Sequence, residues 1–249
     1  MSRPRVVVFG LGGTLVATPA DPGTAIAERL GLDAESARQI GVILNGETFE
    51  TPAALAARLR SELGIAADPS AAIEAVWTAA SSEPAVIDDA ALCVGAVHAA
   101  GARIAVVADA WTPFADAART ACVPFAPAID RWFLSSELRA TRAGGALLSA
   151  ALATLEIPPS DVLVVGDDLG ADCQPALALG AGAVWLRHEA GGSGAVPVDP
   201  HGSAAVNPAV IVPDSAVVAH SLAEVRRIAL TWLWAARGGR RDLTAPLPA

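Results

Sequence analysis

The sequence contains no lysine and no tyrosine, so arginine supplies all 17 of its basic residues. Against them stand 26 acidic residues, which gives a formal net charge of −9 at pH 7. Nucleic-acid binding needs clustered cations to hold phosphates, and an acidic chain does not provide them. The one basic cluster, at 237–242, is short and more typical of a solvated surface. We therefore expect no nucleic-acid partner.

Cysteine and long apolar runs are also scarce. The three cysteines, Cys93, Cys122 and Cys173, are odd in number, widely spaced and set among apolar neighbours, which favours buried free thiols over disulfides or a metal site. The four scattered histidines show no ligand spacing, so packed or solvated side chains are expected. No apolar run approaches the roughly 18 residues of a membrane span, and no signal peptide is evident. These absences predict a cytoplasmic protein with no membrane segment.

What the chain does contain is an alternation of strand and helix patterns. Hydrophobic residues make up 53% of the 249 residues, enough for a sizeable core. Six apolar runs with β character are predicted strands: 5–10, 103–109, 131–136, 161–167, 182–188 and 209–214. Helical patterns separate them, which is typical of right-handed βαβ units. The predicted fold class is α/β, a doubly covered parallel sheet.

One interval, from residue 16 to about 90, has no convincing strand. Its segments predict successive amphipathic helices, and one of them begins with Thr51 as N-cap and Pro52 at the first helical position. The sequence thus predicts a core formed by 1–15 and 90–249 and a helical insertion at 16–89. A polar segment at 44–51 is either an ordinary connector or a loop that overlooks a pocket. The Gly-, Pro- and Ser-rich stretch at 188–208 predicts a mobile surface loop.

The first predicted strand runs into the glycine-rich sequence "VVVFGLGGTLVAT" at 6–18. Dinucleotide-binding folds begin in this way, and Gly10 and Gly12 fit their pattern. The third glycine of that pattern is replaced by Leu15, and no second strand follows to supply a ribose-binding acid. The dinucleotide interpretation is therefore disfavoured.

Four local motifs resemble the haloacid dehalogenase (HAD)-like superfamily instead. "FGLGGTL" matches its first motif, Asp-x-Asp-Gly-Thr-Leu after a strand, except that Gly10 and Gly12 stand at the two aspartate positions. "AVVADAW" corresponds to the second motif, with Ala108 at the hydroxyl position and Asp109 after it. "SSELRATRAGG" aligns Arg142 with the lysine of the third motif.

The fourth motif, Gly-Asp-x-x-x-x-Asp, is intact in "VVGDDLGAD" and supplies Asp167, Asp168 and Asp172. The resemblance implies a HAD-like Rossmannoid sheet with a small helical cap inserted after strand 1. In the family, the first aspartate is the nucleophile and a Mg²⁺ ligand, the second is the acid/base, and the last acids complete the metal site. Glycine at positions 10 and 12 can perform neither catalytic role, so we assign no catalytic residue. We also expect Mg²⁺ binding to be weak or absent.

Two candidate ligand-binding residues come from the first two motifs. Thr14 follows the glycines, and Asp109 follows the second strand. Asp109 either faces the pocket or caps the helix that starts near Pro113.

The third and fourth motifs add Arg142, Asp167 and Asp168 as candidates. Arg142 either grips an anion or forms a structural ion pair with Asp167 or Asp168. The two adjacent acids either form an acid/base pair or cap a helix N-terminus. We expect a small cavity with Arg142 on one side and these acids on the other.

The motifs leave three functions open. The first is a pseudoenzyme that acts as a binding, scaffolding or regulatory protein, with an unknown protein partner or small-molecule ligand. Trp232 and Trp234 lie two residues apart on one predicted helix and so point to different faces, which leaves one of them able to contact a partner. The second is a repurposed, metal-independent enzyme of lyase, isomerase or cyclase type that uses the old cleft. The third, an active HAD hydrolase, is the least favoured.

Overall fold

A computed structural model describes residues 4–17, 20–65, 68–82, 84–188 and 216–235. A six-stranded sheet forms its centre, with all neighbouring strands parallel and in the order β3-β2-β1-β4-β5-β6. The strands are β1 (Val6–Phe9), β2 (Arg103–Ala108), β3 (Arg131–Leu134), β4 (Val162–Gly166), β5 (Gly182–Leu186) and β6 (Ala216–Ala219).

Five of the predicted strands are confirmed, with ends that differ by a few residues. The sixth was predicted at 209–214, which lies outside the described residues, and β6 follows it at Ala216. Most of the predicted loop at 188–208 also lies outside them. The predicted α/β fold class is correct.

Among the described residues between β1 and α5, where the insertion was predicted, there are four helices, which we refer to as the cap: α1 (Pro22–Leu30), α2 (Ala34–Gly46), α3 (Pro52–Leu63) and α4 (Ser70–Ala80). Side chains fix their starts, because Asp21, Asp33 and Thr51 each accept a backbone N–H of the first turn. Thr51 and Pro52 have the predicted positions. The exact boundaries 1–15, 16–89 and 90–249 stay a prediction.

The remaining helices cover the two faces of the sheet. They are α5 (Ala90–Ala99), α6 (Thr112–Ala121), α7 (Ser135–Leu138), α8 (Ala146–Leu155), α9 (Gln174–Leu179) and α10 (Leu222–Ala235). A π-helical turn, Leu169–Cys173, leads into α9. Among the described residues, no helix is long and apolar enough to cross a membrane.

Alternate residues of the strands pack into two separate hydrophobic clusters. Val6 and Val8 of β1 face the cluster with α8 and α9, whereas Val7 and Phe9 face the cluster with α5, α6, α10 and the cap. The three cysteines are buried and free. On α10, Trp232 packs partly against the core while Trp234 is 41% exposed.

Candidate functional site

The candidate site lies where the parallel strands end, because the carboxyl ends of such strands meet at one edge of the sheet. Gly10 follows β1, Asp109 follows β2, and Asp167 follows β4. His188 comes two residues after β5. The fold therefore brings the first, second and fourth HAD-like motifs together at this edge. Arg142 of the third motif lies before α8 and reaches the same edge.

The β1 loop, residues 10–16, turns tightly on itself. The backbone N–H groups of Thr14, Leu15 and Val16 all donate to the carbonyl of Leu11, at 2.8 to 3.2 Å. Gly13 has φ +75°, a left-handed conformation that favours glycine. A Cβ added at Gly10 would lie 2.8 Å from the Thr14 hydroxyl, and Thr14 is fully buried. The loop thus has no room for a side chain at position 10 unless Thr14 moves.

Asp167 lies against the β1 loop. Its Oδ1 accepts a hydrogen bond from the Thr14 hydroxyl at 3.2 Å, and its backbone carbonyl accepts one from Nε1 of Trp185 at 2.9 Å. A Cβ added at Gly13 would overlap the Asp167 carboxylate. Burial, and then the charge of Asp172, raise the pKa of Asp167 to about 6, although Arg142 opposes them.

Arg142 forms the most buried ionic contact of the site. Its Nη1 donates to Oδ1 of Asp172 at 2.8 Å, and Asp172 is only 6% exposed. Its backbone N–H donates to Oδ1 of Asp109 at 2.8 Å, and its Nε lies 3.7 Å from the other oxygen of Asp109. Nε itself is buried without a hydrogen-bond partner. Burial raises the pKa of both carboxyl groups, while Arg142 lowers it.

These contacts correct the predicted pairing of Arg142 with Asp167 or Asp168. The Asp168 carboxylate turns away to cap the π-helical turn, where it accepts from the N–H groups of Gly170 and Ala171 at 2.8 and 2.9 Å. Asp167 turns toward Thr14. Asp109 does not cap α6, whose N-cap residue is Trp111. Asp172, and not Asp167 or Asp168, therefore forms the ion pair with Arg142.

His188 also lies at the site, although the spacing of the histidines did not single it out. Its Nε2 lies 2.6 Å from the carbonyl oxygen of Gly13, so the imidazole contacts the β1 loop. Its place at the end of a predicted strand was a usable signal, because residues in that position reach the carboxyl edge of the sheet. The lack of ligand spacing among the histidines concealed this signal.

The cavity at the site is small. It is bounded by Gly10, Arg142, Asp172 and apolar side chains of β1, β2, β4 and α8, and its volume is about 10 Å³. That volume is at the lower limit for one water molecule. The Arg142 side chain reaches across to Asp172 beside this cavity, and the expected small cavity between Arg142 and the acids of the β4 motif stays a prediction.

Ala108, at the expected hydroxyl position, ends β2 and is 3% exposed. The hydroxyl of Ser135, from the neighbouring strand end, accepts the N–H of Ala110 at 3.2 Å.

The cap reaches the same edge of the sheet through residues 47–50, where Thr48 and Phe49 form hydrogen bonds with Ser136 and Thr112. These residues belong to the polar segment 44–51, which was predicted to be either a connector or a loop over a pocket.

Comparisons with known proteins agree with this architecture. A family model described as HAD-hydrolase-like matches residues 143–217. A comparison with curated protein sequences found no match.

Three similar solved structures illustrate the fold. A HAD phosphatase from Thermococcus onnurineus is 14% identical with a TM-score of 0.52, over 90% of this chain and 97% of that one. A 2-haloacid dehalogenase from Pseudomonas syringae pv. Tomato is 16% identical with a TM-score of 0.57, over 92% and 100%. The L-2-haloacid dehalogenase from Xanthobacter autotrophicus, with chloropropionic acid covalently bound, is 15% identical with a TM-score of 0.56, over 91% and 98%. The chain thus has a HAD-like α/β fold.

The resemblance of the motifs to the HAD-like superfamily implies a Mg²⁺ site at the carboxyl edge of the sheet. Mg²⁺ needs a near-octahedral shell of oxygen ligands. In the described part of the chain, no group of three or more His, Cys, Asp or Glu side chains could hold a metal ion. Asp109 and Asp172 bind Arg142, and Asp168 caps a helical turn. Asp167 accepts from Thr14, so each of these acids already has a partner and the four side chains do not form a Mg²⁺ ligand set as they stand; weak or absent Mg²⁺ binding stays a prediction.

Proposed function

We propose that the chain is a HAD-like pseudoenzyme, without phosphohydrolase activity, that acts as a binding, scaffolding or regulatory protein. One observation carries the proposal: Gly10 and Gly12 stand at the end of β1, at the positions that the motif assigns to the two catalytic aspartates. Glycine offers neither a nucleophile nor a proton donor. Removing one member of a cooperative catalytic group costs on the order of 10⁴ to 10⁶ in rate.

The contacts around the glycines support the same proposal. The Thr14 hydroxyl lies 2.8 Å from the position that a Cβ of residue 10 would take, and the Arg142–Asp172 pair borders a cavity of about 10 Å³. The Xanthobacter autotrophicus dehalogenase holds chloropropionic acid covalently, and covalent attachment requires a nucleophilic side chain, which neither Gly10 nor Gly12 offers.

A repurposed, metal-independent enzyme of lyase, isomerase or cyclase type is the second candidate. It is favoured by Asp167, whose pKa of about 6 suits a general acid or base near neutral pH. The imidazole of His188 contacts the same loop at the carbonyl of Gly13. Both belong to the edge of the sheet where ligands bind in open α/β folds.

The experiment for the first proposal is a hydrolysis assay on purified protein with an aryl phosphate and with 2-chloropropionate, with and without Mg²⁺. We expect no phosphate or chloride release above background and no shift of Tm with millimolar Mg²⁺, because only a ligand that prefers the folded state raises Tm. The matched control is Asp167→Asn. Activity that disappears both with EDTA and in this variant would belong to the chain and would refute the proposal.

A second experiment separates the scaffold from the enzyme. A deletion strain is complemented with Asp167→Asn or with Trp234→Ala, and stability of each variant is checked by its Tm. The scaffold proposal expects Asp167→Asn to complement and Trp234→Ala, at an exposed aromatic side chain, to fail. The opposite pattern would favour the enzyme.

A further inference from the structure

One buried donor at the carboxyl edge of the sheet has no protein partner. Nε of Arg142 is buried and forms no hydrogen bond with any of the described residues. A guanidinium stays protonated in a folded protein, so this N–H remains a donor whatever the pH. A buried donor without an acceptor costs free energy, because the hydrogen bonds that it made to water in the unfolded chain are not replaced. An acceptor for this N–H is therefore expected.

The carboxylate of Asp109 does not supply that acceptor. Its Oδ2 lies 3.7 Å from Nε, which is too long for an N–H···O hydrogen bond. Its Oδ1 accepts the backbone N–H of Arg142 at 2.8 Å, and this contact holds the carboxylate at the main chain. At the far end of the guanidinium, Nη1 lies 2.8 Å from Oδ1 of Asp172. The guanidinium is thus fixed at Asp172, while Nε stays short of Asp109.

The cavity of about 10 Å³ lies beside this side chain. One buried water molecule needs roughly 10 to 15 Å³ measured in this way, so the cavity has room for a single water and for nothing larger. Two charged residues, two small residues and four apolar residues line it: Arg142, Asp172, Gly10, Ala171, Val8, Val107, Leu148 and Val164.

Asp172 provides the second polar contact that a buried water needs. Its Oδ1 accepts from Arg142, and its Oδ2 accepts from the backbone N–H of Asp168 at 3.2 Å. Each oxygen of a carboxylate can accept a further hydrogen bond. A water in the cavity can therefore accept from Nε and donate to Asp172, which gives it two polar partners.

The charges at the cavity favour a neutral occupant. The guanidinium of Arg142 faces Asp172 at 2.8 Å and Asp109 at 3.7 Å, so an anion would meet two carboxylates for one cation. A cation would meet the guanidinium itself. Either ion would also lose its hydration between apolar walls, and a neutral molecule avoids that cost.

From these observations we infer that one water molecule is a structural part of the site. It occupies the cavity beside Gly10, accepts a hydrogen bond from Nε of Arg142 and donates one to the carboxylate of Asp172. The water satisfies the donor that the protein leaves unpaired. The inference does not depend on the proposed function, since an ordered water and absent hydrolysis are measured separately.

The test is a crystal structure of the full chain at a resolution that shows buried waters, from crystals grown with bromide as an anionic probe. We expect one density peak within hydrogen-bond distance of both Nε of Arg142 and a carboxylate oxygen of Asp172. Bromide is located by its anomalous scattering, and we expect none of it in the cavity.

Two variants of β4 check the position of the water. Val164 lines the cavity, so the methyl group added by Val164→Ile should fill it, and we expect the peak to be lost. Val162 is buried in the same hydrophobic cluster but does not line the cavity. We expect Val162→Ile to keep the peak.

The inference is overturned if the unchanged chain shows no peak, whether Nε then stays unpaired or bonds directly to Asp109. A bromide peak in the cavity would overturn it as well, because the site would then bind anions. It is also overturned if the peak persists beside an isoleucine whose added methyl group fills the cavity, because the water then lies elsewhere. If either variant does not fold, the map of the unchanged chain decides alone.

Discussion

The two loops that meet at the carboxyl edge of the sheet carry opposite chemistry. The β1 loop, 10–16, has three glycines and no carboxylate, whereas the β4 loop, 166–173, has three carboxylates within six residues. In a HAD-like fold these loops are expected to act together. Here the loop expected to supply the nucleophile has no carboxylate, and the loop expected to complete the metal site has all of its acids.

Each acid of the β4 loop has a structural partner. Asp167 accepts from Thr14, Asp168 caps a helical turn, and Asp172 binds Arg142. An intact Gly-Asp-x-x-x-x-Asp motif can thus be accounted for by folding contacts alone. The difference between the loops teaches that an intact acidic motif does not by itself indicate catalysis, because each of its acids also has a structural partner.

The largest expected effect comes from breaking the ion pair of the β4 loop. Arg142→Met keeps most of the side-chain volume and leaves the buried Asp172 without its cation, which should lower the free energy of unfolding by about 3 to 5 kcal/mol. Urea denaturation followed by circular dichroism measures it. The control is Arg58→Met in the cap, where the ion pair with Glu47 is 34% and 39% exposed and is worth about 1 kcal/mol or less.

A double-mutant cycle separates the pair from its surroundings. Arg142→Met together with Asp172→Asn should cost less than the sum of the two single changes, because neither buried charge is then left alone. Additive costs would show that Asp172 does not depend on Arg142, and the account of the β4 loop given above would be wrong.

A smaller effect is expected from pH, through Asp167. Its pKa of about 6 in the folded protein is above its ordinary value of 3.8, so the folded state holds the proton more tightly than the unfolded state. The stabilising contribution is complete below about pH 4 and is lost as the pH rises through about 6. Asp167→Asn removes this dependence and keeps an oxygen that can accept from Thr14.

At pH 7 the Asn variant should therefore be more stable than the unchanged chain, by at most about 3 kcal/mol, and the two should converge near pH 4. Thermal unfolding between pH 4 and pH 7 gives the comparison. A variant less stable at pH 7 would mean that the ionised Asp167 stabilises the fold, contrary to its buried position.

The sequence predicted the sheet and the helices between β1 and α5 because their signals are periodic and local. Five strands, and the start of α3 at Thr51 and Pro52, follow from apolar runs and capping residues that need no knowledge of distant contacts. The motifs also indicated which strand ends form the site.

The partners inside the site were not predictable in the same way. Asp167, Asp168 and Asp172 lie within six residues, and which of them faces Arg142 depends on how the π-helical turn rotates each carboxylate. Spacing alone does not fix that rotation. His188 reaches the β1 loop only through the three-dimensional position of β5. The size of the cavity depends on the same side-chain packing.

The smallest expected effect tests whether the two loops are packed against each other. Gly13 and Gly64 both have left-handed backbone, with φ +75° and +61°, but a Cβ at Gly13 would overlap the Asp167 carboxylate while one at Gly64 would meet nothing within 4 Å. Gly64→Ala should cost about 1 kcal/mol for its conformation alone. Gly13→Ala should cost about 2 kcal/mol more, since Asp167 must leave Thr14. Urea denaturation measures both, and in an Asp167→Ala background the excess at Gly13 should disappear. If Gly13→Ala still cost more than Gly64→Ala in the Asp167→Ala background, something other than Asp167 would constrain position 13. The contact between the two loops would then not explain why position 13 has no side chain.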